Sequence, residues 1–118
     1  VLGAFLFLAG GIALSPQDLS PRDQYNAYYL GSYAPKGQCT SVNQLWTFEK
    51  RTISEGRLAC DINDILEQEG GLVIKTKDCS LNGQPQHLMT YTLDLTSETT
   101  ITLHDGQRRL RLQRCRNF

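Results

Sequence analysis

Four cysteines, Cys39, Cys60, Cys79 and Cys115, constrain this chain more than any other feature. An even number of cysteines in a chain of 118 residues reads as two disulfides, and so as an oxidising compartment. A structural zinc site wants two cysteines within a few residues of each other, or histidines close by. No two of these cysteines are that close, and His87 and His104 share no short spacing. A Cys-x-x-Cys redox pair is absent. No metal or other cofactor is expected.

The N-terminal run Val1–Leu14, VLGAFLFLAGGIAL, has no charged or polar side chain. A membrane-spanning helix needs about 20 apolar residues, a secretory h-region about 7–15 followed by small ones. The run is shorter than a span and passes through Gly11-Ile12-Ala13, a small-x-small site. Residues 1–13 therefore read as a signal-peptide h-region cleaved after Ala13. An uncleaved N-terminal anchor and an ordinary core segment are the alternatives. Leu8–Gly11 has the shape of a lipobox but lacks its cysteine, which excludes a lipid anchor there. The expected location is exported, periplasmic or extracellular. Membrane contact is expected only through an uncleaved N-terminus.

Residues 14–38 read as a polar, tyrosine-rich lead-in broken by Pro16, Pro21 and Pro35. A short helix is expected over Asp23–Ser32, with Ser20 as its cap and Pro21 in its first turn. Tyr25, Tyr28 and Tyr29 then share one helical face. Two readings follow. The rings cover an open end of the core, or they form an exposed aromatic binding patch.

From Gln44 onward the apolar pattern has period two, the mark of half-buried strands. Met89, Tyr91, Leu93 and Leu95 alternate with Thr90, Thr92 and Asp94 in the clearest case. Trp46 and Phe48, Leu58 to Ile62, Leu72 to Thr76, Ile101 and Leu103, and Leu110 and Leu112 supply five more. Turn signals separate them at Ser54-Glu55-Gly56, Gly70-Gly71, Asn82-Gly83, Ser97-Glu98 and Asp105-Gly106. Ile65 and Leu66 break the alternation, so a bulge or helical turn is expected nearby. A two-residue turn at Asp105-Gly106 would place Ile101 opposite Leu110. These features predict an all-β domain over residues 39–118. It is a small antiparallel meander, curled or barrel-like, of about six strands. No strong amphipathic helix is present to cover a flat sheet.

Strand directions turn the cysteines into a distance problem. In a closed six-strand meander, Cys60 and Cys79 lie at one end and Cys39 and Cys115 at the other. A strand of ten residues spans roughly 33 Å, whereas bridged Cα atoms lie about 4.4–6.8 Å apart. Within that meander only Cys39–Cys115 and Cys60–Cys79 are feasible.

Twelve basic residues balance twelve acidic ones, so no molecule-wide field draws the chain to nucleic acid, and no such partner is expected. There is no Gly-rich phosphate loop, His-Glu-x-x-His or Gly-x-Ser-x-Gly. His87 is the least implausible general base, and His104 borders a turn. Asp61, Asp64, Glu67 and Glu69 read as outer turn residues. No catalytic residue is assigned. Arg108, Arg109, Arg111, Arg114 and Arg116 make a basic run near the C-terminus. Alternation points Arg109 and Arg111 outward beside inward Leu110 and Leu112. They read as a solvated strand face or as a surface for an anionic glycan or headgroup.

Gly31-Ser32-Tyr33, Cys39, Trp46-x-Phe48, Cys60-Asp61-Ile62, Cys79 before Asn82-Gly83, and Arg114-Cys115 occur in that order. In these residues the stretch from Gly31 to Cys115 resembles small uncharacterised exported bacterial proteins with four cysteines. The resemblance implies a compartment and a β-rich fold, not an activity. The architecture is also similar to the periplasmic inhibitors of C-type lysozyme, which are small disulfide-closed barrels. Their Ser-Gly inhibitory loop has no counterpart here, so the inhibitory function does not follow.

The expectation is an exported, non-enzymatic binding module of the cell envelope, meeting an envelope protein or glycan. Tyr25, Tyr28, Tyr29, Arg109 and Arg111 are the candidate contacts. A periplasmic enzyme inhibitor and a small hydrolase are the alternatives.

Overall fold

The computed structural model describes residues 19–116. The expectations for residues 1–13, and for the start of the lead-in, lie outside them. Among these residues are one α-helix, α1 (Pro21–Tyr28), a 3-10 turn at Val42–Gln44, and nine strands. The strands are β1 (Gly31–Ala34), β2 (Trp46–Phe48), β3 (Thr52–Glu55), β4 (Leu58–Gln68), β5 (Gly71–Leu81), β6 (Gln84–Pro85), β7 (Thr90–Ser97), β8 (Thr100–His104) and β9 (Arg109–Arg114). All the pairings are antiparallel. The order β4-β3-β2-β1-β9-β8-β7-β5, with β5 returning to β4, closes an eight-stranded barrel, and β6 adds to the end of β5.

The all-β, barrel-like class is as expected, but the count of about six strands is too low. The two missing barrel strands are β1 and β3. Each is four residues long and carries little apolar signal: β1 is Gly-Ser-Tyr-Ala and β3 is Thr-Ile-Ser-Glu. The reversal near Ser54-Glu55-Gly56 falls just after β3, at Gly56-Arg57. With β1 at residue 31 in the barrel, a domain boundary at residue 39 does not hold. The helix and first strand of the lead-in belong to the same core.

The barrel interior is filled by side chains. Trp46, Phe48, Ile53, Ile62, Ile65, Leu72, Ile74, Tyr91, Leu93, Ile101, Leu103 and Leu112 point in from the strands, and Tyr33 joins them from β1. The ring of Trp46 meets Tyr91 edge-on at 5.6 Å, a favoured aromatic geometry. Helix α1 starts as its sequence predicts: the Ser20 hydroxyl accepts the Asp23 N–H at 3.1 Å, and Pro21 occupies the first turn. The helix packs its Tyr25 and Tyr29 into the core.

Register explains the irregular burial of β4 and β5. The ladder slips by one residue near Asp78 on β5 and again near Asn63 on β4. Asp78 adopts φ 53°, the left-handed conformation that a bulge residue needs and that Asp tolerates. The second bulge resets the phase, so that Ile65 points inward after Ile62. This is the break in alternation that the sequence signals. The turns Glu69-Gly70 and Asn82-Gly83 have positive φ at both positions, as a type I′ hairpin requires.

The Asp105 hairpin differs from expectation. Ile101 pairs with Leu112 and Leu103 with Leu110, two residues away from the anticipated register. Asp105 sits at the corner of the turn instead of its centre. Its Oδ1 accepts the N–H groups of Gln107 and Arg108 at 3.0 and 2.7 Å. A slip of two keeps every side chain on its own face, so the core pattern survives the error.

Both disulfides pair as anticipated, Cys39 with Cys115 and Cys60 with Cys79. The reason is simpler than a six-strand count. Cys60 and Cys79 face each other across one hairpin, β4–β5, whatever precedes it. Cys39 lies in the β1–β2 loop, and Cys115 follows β9 beside β1, where the barrel closes.

Candidate functional site

The tyrosines divide. Tyr25 and Tyr29 are 0% and 5% exposed, while Tyr28 is 37% exposed. The exposed-patch reading fails for Tyr25 and Tyr29, because both rings belong to the core. Proximity along one helical face does not settle which side of that face is wet. Burial pushes the Tyr29 phenol up to about 12, with the charge of Asp94 adding to the effect. Burial raises the Tyr25, Tyr33 and Tyr91 phenols as well. Tyr28 alone of the three helix tyrosines presents a ring to solvent.

The five arginines also divide. Arg108 donates to both oxygens of Glu55 at 2.8 Å and to Asp105 Oδ2 at 2.8 Å, and lies over the Trp46 ring. Burial would raise the Asp105 carboxyl, but the backbone N–H groups of Arg108 and Gln107 and the Arg108 guanidinium outweigh it and hold the pKa down. Arg114 donates to the carbonyls of Leu30 and Tyr28 at 2.8 and 3.2 Å and covers the Tyr33 ring at 4.7 Å. Gly31 makes that approach possible: a Cβ there would meet Arg114 Nη1 at 2.7 Å, and its φ is +139°. Arg108 and Arg114 are thus absorbed by the fold.

Arg109 and Arg111 are exposed on the outer face of β9, as alternation predicts. Arg109 stands opposite His104, and Arg111 opposite Thr102. Arg109 lines a shallow cleft of about 360 Å³ with Thr92, Asp94, Thr102 and His104. There Asp94 offsets the charge of Arg109. His87 is exposed in the segment between β6 and β7 and lines none of the larger clefts.

A different cleft, of about 660 Å³, gathers more charge. It is lined by Arg22 and Asn26 of α1, Lys50, Arg51 and Thr52 of the β2–β3 turn, Asp61 and Ile62 of β4, and Lys77 of β5. Four cations face one carboxylate. Among the described residues the ion pairs are those of Arg108 with Glu55 and Asp105, so none of these four cations has a carboxylate partner.

The turn carrying Lys50 and Arg51 is fixed from behind. Three consecutive carbonyls accept hydrogen bonds: Glu49 from the Tyr25 hydroxyl at 2.6 Å, Lys50 from Arg22 Nη1 at 2.8 Å, and Arg51 from the Ile62 N–H at 2.8 Å. Thr52 Oγ1 donates to Glu49 Oε1 at 2.8 Å across the same turn. The side chains of Lys50 and Arg51 remain exposed. Asn26 Oδ1 is buried with no hydrogen-bond partner.

Sequence reasoning passed over this cleft. Its residues come from four separate stretches of the chain, and no local motif joins them. The only available signal was the Lys50-Arg51 pair beside a turn. Chemically the cleft can hold an anion, and its Thr52 and Asp61 oxygens can accept hydrogen bonds from hydroxyls. No cluster of three or more His, Cys, Asp or Glu side chains among the described residues has the geometry of a metal site. No protein-family model, curated protein or solved structure matches the chain.

Proposed function

We propose that this protein is an exported, non-enzymatic binding module of the cell envelope that meets its partner with the outside of the barrel. The observation that carries this reading is the contrast between inside and outside. The interior is packed with apolar and aromatic side chains, while the unpaired charge and the clefts lie on the surface. The two disulfides belong to an oxidising environment outside the cytoplasm. No helix among the described residues is long and apolar enough to cross a membrane. An envelope glycan or protein is the proposed partner.

The test is retention of an envelope fraction on immobilised residues 19–116 in their oxidised form. Saturable retention that a soluble competitor releases is expected. Equal retention by the reduced, unfolded chain, or none by either form, would sink the proposal.

The resemblance to disulfide-closed lysozyme inhibitors keeps a second reading in view, favoured by the disulfide that closes this barrel. Slowing of lysozyme by the folded protein at stoichiometric amounts would favour it. A muramidase rate unchanged at excess protein would remove it.

A further inference from the structure

We propose that the cleft beneath α1 is a site for an acidic saccharide, whose anionic groups meet Arg22, Lys50, Arg51 and Lys77. The sugar hydroxyls meet Thr52 and Asp61. This names the ligand class for the binding module proposed above and rests on that reading.

The first support is charge. Arg22, Lys50, Arg51 and Lys77 share one concavity with Asp61 as the single lining carboxylate. Like charges held together repel, and the two most engaged arginines of the fold, Arg108 and Arg114, are answered by their neighbours. Arg108 has two carboxylates, and Arg114 has two carbonyls and a ring. Glu49, beside Lys50 in sequence, has its carboxylate turned to the Thr52 hydroxyl. Among the described residues the four cations of this concavity outnumber its carboxylates four to one, and an anion redresses the excess.

The second support is pre-organisation. The hydrogen bonds to the carbonyls of Glu49, Lys50 and Arg51 come from α1 and β4, on either side of the cleft. They fix the backbone of the turn, so ordering it costs little when a ligand arrives. Arg22 and Asn26 are one helical turn apart on α1 and so face the same way. Lys77 stands opposite Asp61 in the β4–β5 ladder.

The third support separates a saccharide from a bare anion. Asp61 and Thr52 place acceptor oxygens on the wall of the cleft beside the cations. A simple phosphate or sulfate dianion offers them no proton, whereas a sugar carries several hydroxyl donors beside its carboxylate or phosphate. The size agrees: a cleft of about 660 Å³ lies within the range of small-molecule sites, roughly 300–1,000 Å³. A concave site of that kind suits a few sugar units better than a bilayer surface, which meets a protruding face.

The probe is trigalacturonate, titrated into the oxidised protein by calorimetry and amide NMR at low ionic strength, with neutral maltotriose as the control. Saturable binding is expected, with shifts at residues 22, 26, 50–52, 61 and 77, and weakening as salt is added. R51E with K77E is expected to reduce affinity at least tenfold, on the order of one lost charge-assisted contact. K36E, at an exposed lysine that does not line the cleft, is expected to leave it unchanged. Thermal melts accompany each variant; if the double reversal fails to fold, the single changes R51Q and K77Q carry the comparison.

Equal binding of maltotriose, or trigalacturonate binding untouched by R51E/K77E, would overturn the assignment. So would inorganic phosphate binding as tightly as trigalacturonate, which would leave only a simple anion pocket. Binding to phosphatidylglycerol vesicles without saccharide binding would hand the face to a membrane and overturn it too. The envelope-retention assay separates the two readings. Retention that survives R51E/K77E keeps the module and removes the cleft. Retention lost in R51E/K77E but present in the parent supports both, and absence of retention by the parent removes the module and leaves the titration to judge the cleft.

Discussion

The seam where the barrel closes and the cleft beneath α1 both hold arginines, and they use them in opposite ways. At the seam, β1 and β9 share only the pairs Tyr33–Arg114 and Ala34–Gln113. The join is completed by Arg114, whose guanidinium caps the Tyr28 and Leu30 carbonyls and lies on Tyr33, and by the Cys39–Cys115 bridge. Every group there is spent on structure. At the cleft, Lys50, Arg51 and Lys77 carry no ion pair among the described residues, and the hydrogen bonds act on the backbone beneath them. A cation serves the fold in one place, and the fold presents cations in the other.

The contrast breaks if damage at the two places has the same effect. The largest difference is expected from C39S with C115S. The bridge closes a loop of 76 residues, and in the chain-entropy model its loss costs about 4–5 kcal/mol. Urea unfolding of the double variant measures it. A loss under about 1 kcal/mol would mean that the two-pair seam holds by itself. R114A follows, with an expected cost of about 2 kcal/mol from two stripped carbonyls and an uncovered ring. A melt indistinguishable from the parent would show that the seam does not depend on its arginine.

Alkali tests the seam without mutation. Tyr29 lies in the core just before β1, and burial lifts its folded pKa to about 12 from an ordinary value near 10. A raised folded pKa means stability that is complete below pH about 10 and lost as pH climbs through about 12. Stability measured across that window should fall, and Y29F should flatten the fall by about 1–2 kcal/mol at its upper end. A pH dependence unchanged by Y29F would place the loss on the other buried phenols. The smallest effect belongs to the cleft: R51A and K77A should each change stability by no more than about 0.5 kcal/mol, neutral or slightly stabilising as repulsion is relieved. A loss of several times that would make these side chains structural, and the contrast would be gone.

Much of the fold was legible where residues report on themselves. The alternation of Met89 to Leu95 finds β7, Ser20-Pro21 finds the start of α1, and Asn82-Gly83 finds a hairpin. The disulfides were legible because their geometry tolerates a wrong strand count. What escaped has few buried residues per element. Strand β3 buries only Ile53, and β1 hides its Tyr33 and Ala34 behind a proline-rich stretch. Asp105 shows the limit of turn rules, since its carboxylate preferred two backbone N–H groups to a place at the turn's centre. The tyrosines and arginines carried less than their numbers promised. Tyr25, Tyr29, Arg108 and Arg114 stand in the same short runs as Tyr28, Arg109 and Arg111, and only tertiary contacts tell them apart. The cleft was illegible because Arg22 and Lys77 come together only once the barrel has closed.

Closure by Cys39 and Cys115 also sets a problem of timing for the cell. A chain made from its N-terminus offers Cys39 first, then Cys60, then Cys79, and Cys115 last of the four. While the chain emerges, the first thiol to meet Cys39 is the wrong one. Oxidation in order of appearance gives a Cys39–Cys60 bridge, which must be reopened by thiolate attack before either native pair can form. Cys60 and Cys79, 19 residues apart on one hairpin, find each other as soon as they are free. Wherever oxidation runs in order of appearance, maturation of this barrel needs disulfide exchange as well as oxidation, and its yield should follow the supply of an isomerase.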